Sequence, residues 1–265
     1  MLITKEESHR FVEDGFIHLK NFLQGEPILG DIFNEITQIG RHVIGPEFSL
    51  KVFDRNIITK EKQSLLYDRL HYMLSLSRLS SSNKIMDLLV ELGVELPALM
   101  GCCNMRFDPP NNTEHLFDWH QDTLYLLGSL NAVTVWIPFG KVDKEHGSIE
   151  VIPASHKDGV LPFKIISNKP IMDDVQFLQR DIALDMPVSQ SATLIEAELG
   201  DVIVFNQMLL HRSVKNVSQL PRWSAQLRVS DLMDPWFIKN KCPTGDKKNI
   251  FYCDYPGFQH KSSKL

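Results

Sequence analysis

The chain has 265 residues, 43% of them apolar and 23% charged, with a formal net charge of -5 and a pI near 6.1. This suits a soluble globular protein able to bury a sizeable core, and the acidic balance gives no electrostatic footprint for nucleic acid or an anionic membrane surface. Four cysteines, Cys102 and Cys103 adjacent and Cys242 and Cys253 near the end, form neither a CxxC metal site nor a disulfide framework, so reduced thiols are expected.

The first residues lack a basic segment followed by a continuous apolar run, and no window approaches the ~20 apolar residues of a membrane span. A cytoplasmic location without membrane association is expected. Ser263-Lys264-Leu265 spells the peroxisomal address, an alternative location if the host is a eukaryote.

In chain order, Thr4-Lys5-Glu6-Glu7 has the form of a capping box and predicts a helix from about Lys5 to Asp14, followed by a strand over Phe16 to Leu19. Pro27 opens a second helix to Val43, with Ile28, Leu29, Ile32, Phe33, Ile36 and Ile39 at helical spacing. Leu65, Leu66, Leu70, Met73 and Leu74 repeat that pattern, and Ile85 to Leu92 makes a further helix ending near Gly93. After Pro97 the periodicity changes to short apolar or alternating runs. They lie at Leu99 to Phe107, Thr123 to Leu127, Ala132 to Phe139, Ser148 to Ile152, Ile182 to Pro187, Thr193 to Ala197, Val202 to Phe205 and Trp223 to Val229.

Many short strands without interleaved helices indicate a mainly β fold, a sandwich or barrel of the jelly-roll kind. The sequence shows no Pro, Gly or Ser-rich linker and no internal repeat, so one domain is expected. Residues 1–96 would form a mainly helical buttress, 97–232 the jelly-roll core and 233–265 an irregular tail. Ser167 to Asp174 reads as a mobile loop, and Trp236 and Phe237 as candidates to cover the barrel opening. No signal for oligomeric state stands out.

Two His-x-Asp triplets occur, in Asp118-Trp119-His120-Gln121-Asp122 and in His156-Lys157-Asp158. The first follows a polar loop and starts the Thr123 run; residues two apart on an extended segment point the same way, so His120 and Asp122 would share a face. The second lies in the turn Pro153 to Gly159 and reads as solvated loop. His211, after Gly200-Asp201 and the Val202 strand, is the third ligand chosen. Two imidazoles and a carboxylate hold one face of an octahedral ion and leave the other positions open, as in non-haem Fe(II) oxygenases. Each residue taken singly is more often structural; the combination is not.

Arg222 lies eleven residues beyond His211, in Pro221-Arg222-Trp223-Ser224. A surface ion pair is the competing explanation, yet Arg-x-Ser on a strand puts a guanidinium and a hydroxyl on one face, suited to the remote carboxylate of 2-oxoglutarate. A zinc hydrolase using the same three ligands and a non-catalytic barrel binding a small molecule stay open at this point.

The chain resembles the phytanoyl-CoA dioxygenase family of Fe(II)/2-oxoglutarate oxygenases. The likeness rests on Trp119-His120-Gln121-Asp122, on Glu145 to His156, on Gly200-Asp201 leading to His211-Arg212-Ser213, and on Asp14-Gly15-Phe16. It spans roughly residues 8 to 230. The resemblance implies a double-stranded β-helix, cupin-like core and the cofactors Fe(II), 2-oxoglutarate and O2. It implies His120, Asp122 and His211 as iron ligands, Arg222 on the cosubstrate's C5 carboxylate, and Ser213 and Ser224 as cosubstrate contacts. His156 falls in the family's Pro-Gly-Ser-His turn, here Pro153-Ala154-Ser155-His156, and is not a ligand. With Asp122 retained, halogenation is disfavoured, and the implied outcome is hydroxylation of a small-molecule metabolite with release of succinate and CO2. Around the barrel mouth the expected residues are Asn104 on the cosubstrate side, and Arg106, Gln121, Tyr125 and Trp136 toward the substrate.

Overall fold

The computed structural model describes residues 1–101, 103–113, 116–125, 128–170, 178–185, 191–239 and 241, with the backbone only for 165–170 and 178–183. Helix α1 (Lys5–Asp14) starts at Thr4, whose hydroxyl accepts from the Glu7 N–H while the Glu7 carboxylate accepts from the Thr4 N–H. It ends at Gly15, whose φ of 80° suits a residue without a Cβ. Strand β1 (Phe16–Leu19) follows, then α2 (Pro27–Val43), with Pro27 in its first turn and Leu29, Ile32 and Ile36 buried along one stripe. The Leu65 to Leu74 periodicity divides into α3 (Lys60–Leu70) and α4 (Leu74–Ser80); α5 (Asn83–Glu91) starts at Ser82, whose hydroxyl accepts from the Ile85 N–H.

The remaining strands are β2 (Pro97–Leu99), β3 (Asn104–Asp108), β4 (Val133–Pro138), β5 (Ile149–Val151), β6 (Phe163–Pro170), β7 (Leu178–Leu184), β8 (Thr193–Leu194), β9 (Val202–Asn206), β10 (His211–Ser213) and β11 (Arg222–Asp231). They form an antiparallel sheet in the order β1-β9-β4-β11-β2, with β3 also on β11, a smaller sheet β10-β5-β8, and the pair β6-β7. Strand alternation sorts the side chains of the large sheet between two cores. On one face Val133, Val135, Ile137, Trp223, Ala225 and Leu227 join Ile32, Ile36, Leu66 and Leu88 of the helices. On the other, Trp136, Ile203 and Phe205 pack against Ile149, Val151 and Ile195 of the smaller sheet. This is the expected jelly-roll core with a helical layer outside it. At roughly 1.5–3 kcal/mol for each large apolar side chain taken out of water, both interfaces are strongly favoured.

Four expectations change. The Leu99 to Phe107 run falls in two strands, β2 ending at Leu99 and β3 beginning at Asn104. The strand expected at Thr123 to Leu127 is absent over its described residues 123–125, where Asp122–Leu124 coils into a 3-10 turn in which Leu124 and Tyr125 donate to the carbonyls of Gln121 and Asp122; 126–127 lie outside the described residues. Ser167 to Pro170 extends β6 rather than opening a loop, while 171–174 lie outside the described residues. The tail begins with a short helix, α6 (Pro235–Lys239), where the Asp234 carboxylate accepts from the Phe237 N–H and Phe237 is buried. Asp234-Pro235 was the available cue, an N-cap acid before a first-turn proline. The first segment is also stitched into the core, since β1 pairs with β9 from Phe16↔Phe205 to Leu19↔Val202.

Candidate metal centre

The backbones of His120 and His211 lie side by side, each N–H donating to the other's carbonyl at 3.0 Å. That bridge joins the Asp118 to Asp122 stretch to β10. The turn at Asp122 then swings the carboxylate back toward both rings. His120 Nε2 and His211 Nε2 each lie 3.8 Å from Asp122 Oδ1, and one ligand atom from each residue falls within 4.8 Å of the others. So it is a bridge and a turn, not an alternating strand, that gathers the three. The second triplet goes elsewhere: Ser155–Asp158 is a 3-10 turn, with His156 against Gly15, where an added Cβ would come within 2.3 Å of its Nδ1.

Hydrogen bonds preset the donors. His120 Nδ1 bonds the Asp118 carbonyl at 2.7 Å and His211 Nδ1 bonds the Leu209 carbonyl at 2.9 Å. Each Nδ1 therefore carries the proton, and each Nε2 presents a lone pair to the centre. Thr134 donates its hydroxyl to Asp122 Oδ2 at 2.6 Å, leaving Oδ1 toward the imidazoles. Burial, then the neighbouring His211 ring, push the His120 imidazole down to about 3 against the pull of Asp122. Burial also lowers His211. For Asp122 burial works upward, but Arg228 and the two imidazoles outweigh it and hold the carboxyl below its ordinary range. Two neutral imidazoles and an ionised carboxylate, all buried, are the donor set of a divalent transition metal, and their spacing lets them close on one ion at about 2.0–2.2 Å.

Strand β11 turns Arg222, Ser224, Gln226 and Arg228 to the inner face, since the residues between them belong to the helix-side core. Arg222 is not a surface arginine. It is 5% exposed, and Nε and Nη2 donate to Asp108 Oδ2 at 3.2 and 2.6 Å while Nη1 donates to the Gly147 carbonyl at 2.7 Å. Asp108 is shared: its Oδ1 accepts from Arg106 Nη2 at 2.9 Å. Burial alone would raise this carboxyl, yet Arg106 and Arg222 hold it well below the usual carboxylate range. The Ser224 hydroxyl is fully buried with no hydrogen-bond partner among the described residues.

The other expected site residues divide. Asn104 lies opposite Gln226, and Arg106 opposite Ser224, on the inner face. Arg106 is tied to Asp108, with Phe117 5.7 Å from its guanidinium. Tyr125 stands edge-on to His120, ring centroids 5.8 Å apart. Ser213, on β10, donates its N–H to the Phe117 carbonyl. Trp136 is 1% exposed within the core between the sheets. Gln121 corrects an expectation: its amide nitrogen donates to the carbonyls of Gly159 and Met208 and its oxygen accepts from the Leu161 N–H, so it braces loops instead of lining the mouth. Asp108, Thr134 and Arg228 were missed. Alternation in Arg106-Phe107-Asp108 and in Arg222 to Arg228 would have found two, and a lone hydroxyl within Val133 to Ile137 a third.

A family model described as Phytanoyl-CoA dioxygenase (PhyH) matches residues 11–224. A Dictyostelium discoideum protein named "Phytanoyl-CoA dioxygenase domain-containing protein 1 homolog" is 23% identical over 251 residues, covering 82% of this chain and 88% of that protein. Among solved structures, EctD from S. alaskensis with 2-oxoglutarate and 5-hydroxyectoine superposes with a TM-score of 0.59 at 17% identity, over 88% of this chain and 78% of that one. SnoK, a non-heme alpha ketoglutarate dependent carbocyclase from nogalamycin biosynthesis, gives a TM-score of 0.57 at 15% identity over 92% of each chain. At such identities these structures establish the shared fold.

Proposed function

The chain belongs to the phytanoyl-CoA dioxygenase family of Fe(II)- and 2-oxoglutarate-dependent oxygenases, and from that premise we propose that it hydroxylates a C–H bond of a small-molecule metabolite. Membership sets aside the hydrolase and non-catalytic barrel readings. The observation that carries the proposal is the convergence of His120 Nε2, His211 Nε2 and Asp122 Oδ1 with their tautomers and rotamer already fixed. Three ligands on one side leave the facing positions to cosubstrate and O2.

In this reading His120, Asp122 and His211 hold iron, and Arg222 with Ser224 receives the C5 carboxylate of 2-oxoglutarate. Geometry supports the second assignment: the Arg222 guanidinium, already able to hold a carboxylate through Nε and Nη2, lies on the same inward face of β11 as Ser224. Arg106 shares the Asp108 carboxylate with Arg222 and helps to position it. The unpartnered Ser224 hydroxyl gives a donor on the same face. Ser213 and Asn104 complete the cosubstrate side, and Tyr125 is assigned toward the substrate, while Trp136 packs in the core between the sheets. Bound iron, 2-oxoglutarate and O2 supply the oxidation, with succinate and CO2 leaving as one oxygen atom enters the substrate. The protein fixes geometry and excludes bulk water, with His120, Asp122 and His211 each less than a tenth exposed and Phe205 4.7 Å from the His211 ring.

The whole chain is proposed to act as one domain, with a cytoplasmic location. Among the described residues no helix is long and apolar enough to cross a membrane, and Ser263-Lys264-Leu265 lies outside them. The test is succinate release from 2-oxoglutarate with Fe(II) over metabolite pools, comparing the wild type with Asp122→Ala. A pool that stimulates the wild type and leaves the variant silent is expected; equal turnover in both overturns the ligand assignment.

A further inference from the structure

The inner face of β11 carries a second arginine, six positions beyond Arg222 and about 20 Å along the strand, in a different state from the first. All three Arg222 nitrogens are committed to Asp108 and backbone carbonyls. Among the described residues Arg228 makes one hydrogen bond, from Nη2 to Gln226 Oε1 at 2.9 Å. Its Nε is buried without a hydrogen-bond partner, 3.5 Å from Asp122 Oδ2, an oxygen already taken by Thr134 at 2.6 Å. The side chain is 18% exposed, so a ligand can reach it. A guanidinium has five donors, and leaving most of them unused beside a metal centre is costly unless an anion completes them.

A second orphan stands on the same side. Gln207 follows β9 and is 2% exposed, and among the described residues neither its Oε1 nor its Nε2 has a hydrogen-bond partner. Its carbonyl accepts from the Thr123 N–H, which ties it to the turn that carries Asp122. Its side chain reaches Gly128, where an added Cβ would lie 3.1 Å from Gln207 Oε1 and 3.7 Å from Ser230 Oγ. Ser230 is the next inward residue of β11 after Arg228. A buried amide with neither end satisfied is costly, and a ligand presenting both an acceptor and a donor would recover that cost.

The geometry points to a subsite for the oxidised substrate, in which Arg228 with Gln226 receives a carboxylate and Gln207 pairs with a hydroxyl or amine next to that acid group. The inference rests on the oxygenase reading and deepens it to a substrate class, small hydroxy- or amino-carboxylic acids. A carboxylate alone would leave Gln207 Oε1 unpaired, which is why the neighbouring donor is part of the assignment.

The probe is a panel of hydroxy- and amino-carboxylic acids of three to six carbons, each matched with its primary amide. Binding is read as the rise in melting temperature of the anaerobic protein saturated with Fe(II) and 2-oxoglutarate, so that the cosubstrate position is filled. At least one acid should bind and its amide should not. Arg228→Gln should weaken that acid at least tenfold and Arg228→Lys less, and Gln207→Leu should weaken it while removing the preference for the hydroxyl or amine. Equal binding of acid and amide, wild-type affinity in Arg228→Gln, or no binding by any acid overturns the subsite. In that case a visible absorption band from bound Fe(II) and 2-oxoglutarate shows that the oxygenase reading stands, whereas absence of the band removes both.

Discussion

Thr134 donates its hydroxyl to Asp122 Oδ2 at 2.6 Å, both residues being buried, and this bond selects which carboxylate oxygen faces His120 and His211. Partners of this kind typically contribute about 10–100-fold to metal affinity. Thr134→Val keeps the shape and removes the donor. Its Fe(II) dissociation constant should rise by that factor while its unfolding midpoint moves little, as measured by metal titration and denaturant melts; unchanged affinity would show that Asp122 is positioned by other contacts.

Arg222 already holds one carboxylate, that of Asp108, and shares it with Arg106. Arg222→Ala should raise the apparent KM for 2-oxoglutarate at least ~10-fold, the scale of a hydrogen bond to a charged group, with Arg222→Lys in between. The variant also leaves Asp108 with one cation, so its fold must be checked by circular dichroism. An unaltered apparent affinity in folded protein would remove the cosubstrate role.

Ala154 adopts φ 63° in the turn before His156. A Cβ in the left-handed region costs about 1–2 kcal/mol, and a glycine gives back roughly 0.4–1 through the freer unfolded chain. The backbone at this alanine is strained where a glycine would not be. Ala154→Gly should stabilise the protein by about 0.5–1 kcal/mol in equilibrium urea unfolding, without changing metal affinity.

The Asp201 carboxylate ties β1 to β9, accepting from the Asn21 N–H at 2.7 Å and the Glu198 N–H at 3.1 Å and meeting His18 Nε2 at 2.9 Å. Burial raises this carboxyl, but those bonds outweigh it and its folded value lies below the ordinary one. Its stabilisation is therefore complete above the unfolded value of about 3.9 and is lost as pH falls through the lower folded value. Asp201→Asn should cost about 1–3 kcal/mol at pH 7 and flatten the acid limb of the stability profile.

How far the sequence could be read follows from where its signals are local. Thr4, Glu7, Gly15 and Pro27 act within one helical turn of themselves, and α1 begins and ends, and α2 begins, where those residues say. His120, Asp122 and His211 were legible because their types are rare in this combination, although the supposed strand through Thr123 was wrong and the grouping depends on a long-range bridge, His120↔His211. Gln121 and Arg106 were misjudged for a related reason. Their partners, Gly159, Met208 and Leu161 for one and a jointly held Asp108 for the other, are settled by tertiary packing that no local pattern encodes.

The most direct measurement is the visible spectrum of the anaerobic protein with stoichiometric Fe(II), before and after 2-oxoglutarate. The account predicts a weak charge-transfer band that appears with 2-oxoglutarate in the wild type and is lost in His211→Ala. Iron-loaded wild-type protein that gives no band, or a His211→Ala variant that keeps it, would contradict the assignment of this site.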